Sequence, residues 1–281
     1  MNCYSNLILD EERALYAIRN AVVENCRFEG PADGESALKE SRDITVKNCD
    51  FLLRYPFWHT EGALIENIRM TETCRAALWY DKNIVIKDSS LGGIKAVREC
   101  ENVALENCNI VSTEFGWMNK NLSLKNCELT AEYPFLMTKG MELDGFTLNG
   151  KYSFQYVENV VIRNSVLNTK DAFWHAKNVT VYDSVVKGEY LAWYSENVKF
   201  VRCKLIGTQP LCYAKNLILE DCEMEGTDLA FENSEVTATV NGHIDSVKNP
   251  YKGSVTADSI GEIIFDENKW DGECKVEVRN A

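Results

Sequence analysis

Two pairs of acidic side chains carry the spacing that bond-cleaving chemistry asks for. Asp171 and Glu189 form one pair, and Glu114 and Glu132 repeat the same interval earlier in the chain. Two carboxyl groups a few ångströms apart can divide the work of glycoside cleavage, one as acid and the other as nucleophile or base. Flat aromatic side chains lie near both: Trp174, His175, Trp193 and Tyr194 flank the first pair, and Trp117 stands beside the second. Trp79, Arg98 and Trp117 occupy equivalent places further upstream. Indole faces suit sugar rings, and an arginine among them could hold a carboxylate or phosphate on a substrate. Asp171 and Glu189 are the first choice as catalytic residues, because their aromatic surround is denser. Glu114 and Glu132 are the second. Plainer alternatives stay open for each: solvated loop carboxylates, and an aromatic ladder that serves only packing.

These residues meet only if the chain is wound so that they do, and a repeat supplies the winding. Segments such as VVENCRF, TVKNCDF, ALENCNI, SLKNCEL, VIRNSVL and ILEDCEM share one pattern. Their Cys/Ser position falls at 26, 49, 68, 89, 108, 127, 146, 165, 184, 203 and 222, so the step is 19 from position 89 onward. A fixed period of this kind marks a repeat architecture. The alternation within each unit is that of short strands. Helical repeats, leucine-rich repeats and a six-residue left-handed period do not fit. A parallel β-helix does, with neighbouring rungs about 4.8 Å apart. The expected fold is therefore all-β, a single-stranded right-handed parallel β-helix of about eleven rungs. One domain over 1–281 is expected: a short helical N-terminal cap in 1–20 (DEERALYAIR, with Asp10 as N-cap), regular rungs in 21–229, and degenerate rungs or a cap in 230–281.

Stacking turns equivalent positions into columns, and the columns make physical sense. Glu24, Lys47, Glu66, Lys87, Glu106, Lys125, Asp144 and Arg163 alternate in sign at every step. Glu61, Lys82, Glu101 and Lys120 begin a second such column. Opposite charges on paired strands support that register. Asn83, Asn102, Asn121, Asn159, Asn178, Asn197 and Asn216 form a third, expected to be an amide ladder at a turn where Asn tolerates a left-handed backbone. The small Cys/Ser column is expected to face inward near a corner, as packed free thiols. The Trp column should point outward, beside an inward column containing Phe57, Phe135, Phe154 and Phe173.

Composition narrows the partners. Of 281 residues, 43 are acidic and 30 are Lys or Arg, a net charge of -13. Such a surface repels nucleic acid and anionic membranes, and a polyanionic ligand would need a local basic patch. No apolar run is long enough to span a bilayer. The first residues lack the features of a secretory signal. The 11 cysteines are scattered singly with no CxxC, so reduced thiols and a cytoplasmic location are expected, with no metal or cofactor. His59 and His175 share a column but lie too many rungs apart to share a metal.

The segments GESALKE (34–40), YPFW (55–58), RAALWY (75–80), DAFW (171–174), GEYLAWYS (188–195), LCY (211–213), LAFENS (229–234) and IDSVKNP (244–250) carry a family likeness. Through them the chain resembles an uncharacterised bacterial family of single right-handed β-helices within the pectin-lyase-like superfamily. The resemblance covers nearly the whole chain. It implies the β-helix, and its members bear a hydrolase label by analogy of fold alone. The polygalacturonase motifs NTD, DD, GHG and RIK are absent, as is the acidic cluster with which pectate lyases hold calcium. Three functional readings follow: a carbohydrate-acting hydrolase, a non-catalytic binder of an oligosaccharide or sugar conjugate, and a self-assembling protein whose aromatic face packs on a second copy.

Overall fold

The computed structural model describes residues 2–30, 34–266, 268 and 270–279. It is an all-β parallel β-solenoid of about 14 turns, with no helix among the described residues. Contacts divide it into two compact units, Met1–Glu142 and Leu143–Ala281.

In the first unit each coil brings a six-residue strand onto its neighbours in parallel, as Arg42–Lys47, Glu61–Glu66, Lys82–Lys87 and Glu101–Glu106 do. The paired residues are those that share a column: Lys47 with Glu66, Glu66 with Lys87, and Lys87 with Glu106. The charges meet, with Lys47 to Glu66 at 2.8 Å and Glu106 between Lys87 and Lys125 at 3.7 Å each. Phe28, Phe51, Phe57, Phe115 and Phe135 fill the core. The second unit repeats the plan over Glu158–Arg163, Lys177–Tyr182 and Glu196–Val201. Its core holds Phe146, Phe154, Phe173, Phe200 and Phe231.

The amide ladder forms as expected. Asn102 donates to Asn83 and Asn121 to Asn102, each at 2.9 Å, and all three have positive φ. In the second unit Asn178, Asn197 and Asn216 each donate to the Asn one coil earlier, at 3.0, 3.0 and 2.8 Å. A second ladder runs through the Asn or Asp before the Cys/Ser column, for example Asn67 to Asn48 at 2.7 Å. Asn197→Ala should therefore cost about 1–3 kcal/mol, from a lost pair of amide bonds and a methyl-bearing residue held at φ 55. Asn197→Gly should recover the backbone part only. Denaturant titration of both variants checks this, and equal losses would remove the backbone half of the argument.

The Cys/Ser column faces inward, and the structure gives it a task. At this corner the backbone N–H of one coil donates to the small polar side chain of the next: Cys108 to Cys127 Sγ at 3.4 Å, Phe146 to Ser165 Oγ at 3.1 Å, and Ser165 to Ser184 Oγ at 3.0 Å. The hydroxyls pass the bond on to a carbonyl, as Ser184 does to Tyr182 at 2.6 Å. All eleven cysteines are free. Burial pushes the Cys49, Cys212 and Cys222 thiols up to about 12, which leaves them inert.

A second interior corner uses the same device through Thr60, Asp81, Cys100, Asn119 and Thr138. Thr60 N–H donates to Asp81 Oδ1 at 2.7 Å, and Cys100 N–H to Asn119 Oδ1 at 2.7 Å. Asp81 is fully buried and its Oδ2 has no partner. Burial therefore holds its carboxyl well above the ordinary range, so it folds as the neutral acid. A free carboxyl ionises near pH 3.9, so folding keeps a proton that the unfolded chain has released above that pH. Stability from this group is full below about pH 3.9 and falls as the pH rises. Asp81→Asn should match the wild type near pH 4 and exceed it by a margin that widens as the pH rises, by up to about 1.4 kcal/mol per pH unit until the folded Asp81 carboxyl ionises. Melting curves across that range test it; a margin independent of pH would overturn it.

The ends correct two expectations. Residues 10–19 form no helix. Asn2–Ser5 and Ile8–Leu9 already lie in a coil, paired with Arg19–Glu24 and Arg27–Phe28, and the segment after them closes that coil. Arg13 and Ala17 N–H donate to Glu35 and Lys39 carbonyls at 2.8 and 2.9 Å. A helix this short is marginal in water, and stacking onto the next coil outweighs its local propensity. Winding also continues beyond residue 230, through the long parallel strands Glu235–Lys248 and Lys252–Ile264 and on to Lys275–Val278. These additions raise the expected eleven turns to about 14.

Candidate functional site

The coil segment that carries the aromatic columns has an unusual backbone. Asp171, Phe173 and His175 have φ of 51, 61 and 55°, and Tyr190, Ala192 and Tyr194 repeat the pattern at 56, 56 and 58°. Left-handed backbone at bulky side chains costs of order 1 kcal/mol per residue. Hydrogen bonds to both neighbouring coils hold it: Asp171 N–H donates to the Glu189 carbonyl at 2.9 Å, Phe173 to Ser153 at 3.0 Å, and His175 to Trp193 at 3.0 Å. Phe173 is thereby buried and Trp174 half-buried.

Asp171 and Glu189 lie on adjoining coils. Asp171 is only 9% exposed, whereas Glu189 is exposed. Lys170 stands between them, its Nζ 3.9 Å from Asp171 Oδ2 and 3.5 Å from Glu189 Oε2. Burial raises the Asp171 carboxyl above the ordinary range; Lys170 opposes this and Glu189 adds to it. The cluster borders an open groove of about 760 Å³, lined among others by Lys151, Lys170, Lys187, Gly188, Glu189 and Gly207. Glu114 and Glu132 have the same backbone relation, N–H to carbonyl at 2.8 Å. Glu114, however, is paired with Lys95 at 3.3 Å, and Glu132 is exposed.

The tryptophans stack along the column. Trp174 lies 5.6 Å from Trp193 with planes 5° apart. Their indole N–H groups donate to the Tyr190 and Gln209 carbonyls at 2.7 and 2.8 Å. In the first unit Lys39, Trp58, Trp79, Arg98 and Trp117 form one continuous stack. Lys39 Nζ sits 4.2 Å above the Trp58 ring, the two indoles are 5.6 Å apart, and Arg98 lies 5.7 and 5.4 Å from Trp79 and Trp117. Arg98 also pairs with Glu99 at 3.1 Å. Rings stacked this way spend their faces on one another and turn their edges outward. The Trp58 and Trp79 indole nitrogens are buried without a partner, unlike that of Trp117, which donates to the Tyr133 carbonyl. His175 stacks between Tyr156 at 4.8 Å and Tyr194 at 5.3 Å, and Tyr213 continues the row at 4.9 Å from Tyr194.

Asp171, Glu189, Trp174, His175, Trp193 and Tyr194 all lie in the second unit, on adjoining coils. Trp79, Arg98, Trp117 and Glu114 belong to the first. Sequence reasoning missed Lys170, whose ammonium lies within 4 Å of both carboxylates. Its signal was available: Lys151 and Lys170 are one period apart, directly before Glu189 in the same column.

A parallel β-solenoid with a lysine-bridged carboxyl pair beside an open groove is the class that fold and site define. The chain belongs to the family described as Protein of unknown function (DUF3737), whose model matches residues 2–278. No curated protein matches it. Similar solved structures include PfbA, a surface adhesin of Streptococcus pneumoniae, at 11% identity and a TM-score of 0.36, covering 85% of this chain and 71% of that one. The periplasmic alginate epimerase AlgG follows at 9% and 0.37, covering 92% and 77%. The A-module of mannuronan C-5 epimerase AlgE6 of Azotobacter vinelandii stands at 11% and 0.30, covering 98% and 87%.

Proposed function

We propose that the chain is a carbohydrate-acting hydrolase whose working groove runs beside Asp171 and Glu189. The observation that carries this reading is the inequality of the two carboxyl groups on adjoining coils. One is nearly buried and inclined to keep its proton; the other is exposed to the groove. That is the division of labour between a general acid and a base or nucleophile. Asp171 would protonate the leaving oxygen while Glu189 assists attack at the sugar carbon. Trp174 and Trp193 stand on the same two coils as the pair and stack on one another. Unpaired thiols throughout the chain fit work in a reducing compartment on short oligosaccharides or sugar conjugates.

A second reading rests on Lys170. Its contact with both carboxylates can equally neutralise them as structural ion pairs, leaving a groove that binds sugar without cleaving it. One experiment separates the two: the purified protein against a broad oligosaccharide set, followed by thermal shift and by release of reducing ends. Release that disappears in Asp171→Asn supports the hydrolase. A thermal shift without release supports the binder. Silence on both readouts would sink the carbohydrate reading.

A further inference from the structure

A like-charge step interrupts one of the sign-alternating columns of the first unit. Arg42, Glu61, Lys82 and Glu101 are paired residues of successive parallel strands and alternate in sign. Arg19, paired with Arg42 one coil earlier, breaks the alternation. Two arginines therefore stand in register on neighbouring coils, whose strands are roughly 4.8 Å apart. Like charges stacked this way cost stability, and no carboxylate among the described residues pairs with Arg19 to relieve it. Arg42 is bound to Glu61 on its other side. Asp43 lays its carboxylate over Gly62, with Oδ1 2.8 Å from where a Cβ would stand there. Glu40 accepts the Tyr16 hydroxyl at 2.8 Å. Arg19 is exposed and lines, with Arg42, Glu40, His59 and Tyr80, a cavity of about 380 Å³, the size of a small-ligand site. His59 stacks on Tyr80 at 5.2 Å, and the polar atoms of both rings have no hydrogen-bond partner among the described residues.

We infer that this cavity binds a phosphate monoester of a sugar or small polyol. Phosphate is the group that two arginines in register fit. A carboxylate fills one guanidinium fork with its two oxygens, whereas the three terminal oxygens of a phosphate monoester can engage a fork on each coil. Arg42 keeps donors beyond the one it gives to Glu61. His59 and Tyr80 supply further polar atoms beside the arginines, and Glu40 and Glu61 can accept from the hydroxyls of the ester. All of these residues lie within Met1–Glu142, and none belongs to the Asp171–Glu189 pair, so the inference does not rest on the hydrolase reading.

The test is calorimetric titration at low and high salt with glucose 6-phosphate, glycerol 3-phosphate, inorganic phosphate, glucuronate and glucose. At least one ester should bind roughly tenfold more tightly than glucuronate or glucose at low salt, and the preference should shrink at high salt. Inorganic phosphate should bind more weakly than that ester, for want of hydroxyls. Arg19→Gln should weaken the ester about tenfold. Without ligand the same variant should melt no lower than the wild type, because it removes the like-charge step. Arg19→Lys keeps the charge but loses the fork and should recover part of the affinity. A lowered melting temperature in ligand-free Arg19→Gln would make Arg19 a structural residue and overturn the inference. Affinity indifferent to Arg19→Gln, equal affinity for glucuronate and the esters, or no binding by any probe would overturn it as well. Inorganic phosphate bound as tightly as the esters would overturn the sugar or polyol part.

Discussion

Asp171→Asn lowers kcat/KM on any oligosaccharide that the protein cleaves by about 100- to 10,000-fold, the usual contribution of a positioned acid, while its melting temperature stays within a few degrees of the wild type. Asparagine keeps the shape and removes only the transferable proton. The Asp171 N–H bond to the Glu189 carbonyl, 2.9 Å long, belongs to the backbone and survives the change. The pH profile gives a second readout. Because burial raises the Asp171 carboxyl above the ordinary range, activity should persist to higher pH than an ordinary carboxyl would allow and fall as the pH passes the pKa of this group. Lys170 pulls the same pKa down, so Lys170→Gln should move the descending limb to higher pH. Turnover that survives Asp171→Asn, or a limb that ignores Lys170→Gln, would remove Asp171 from the mechanism.

The second large effect is structural and lies in the groove wall. A Cβ added at Gly188 would fall 1.3 Å from the Thr169 carbonyl oxygen and 2.4 Å from its carbon. Both atoms are backbone, in coils tied by Thr169 N–H to the Lys187 carbonyl and Gly188 N–H to the Ile206 carbonyl, each at 2.7 Å. No side-chain adjustment can absorb the methyl, so the coils must separate. Gly188→Ala should cost about 3–5 kcal/mol and spoil the groove with it. Gly226→Ala is the control. Gly226 has φ 61° but nothing within 4 Å of the added carbon, so the expected loss there is about 1 kcal/mol. Denaturation of the two variants side by side tests the argument, and equal losses would show that close approach is not what reserves position 188 for glycine.

Much of this molecule was legible before it was wound. The repeat specified parallel coils because each unit can complete its hydrogen bonds and bury its apolar face only on a neighbour. Alternating charges at Lys47, Glu66, Lys87 and Glu106 named the register, and the Asn columns named the ladders. A fixed period makes neighbours of residues one repeat apart, so Asp171 could be placed beside Glu189 by counting. The helix expected in 10–19 failed because its local propensity was weighed without the carbonyls of the coil below it.

Other features belonged to the tertiary structure alone. Left-handed backbone at Asp171, Phe173 and His175 is invisible in residues that seldom adopt it, since only bonds to two neighbouring coils make it stable. Whether the indoles offer faces or edges depended on the angle between successive rings, here 5° for Trp174 and Trp193. The inequality of Asp171 and Glu189 is a matter of burial, and burial is settled by every coil that packs around them. The sequence by itself determined which residues are neighbours, because period and charge act locally along stacked coils. Only the tertiary structure decided how each of those neighbours faces solvent, which is where the chemistry of the groove resides.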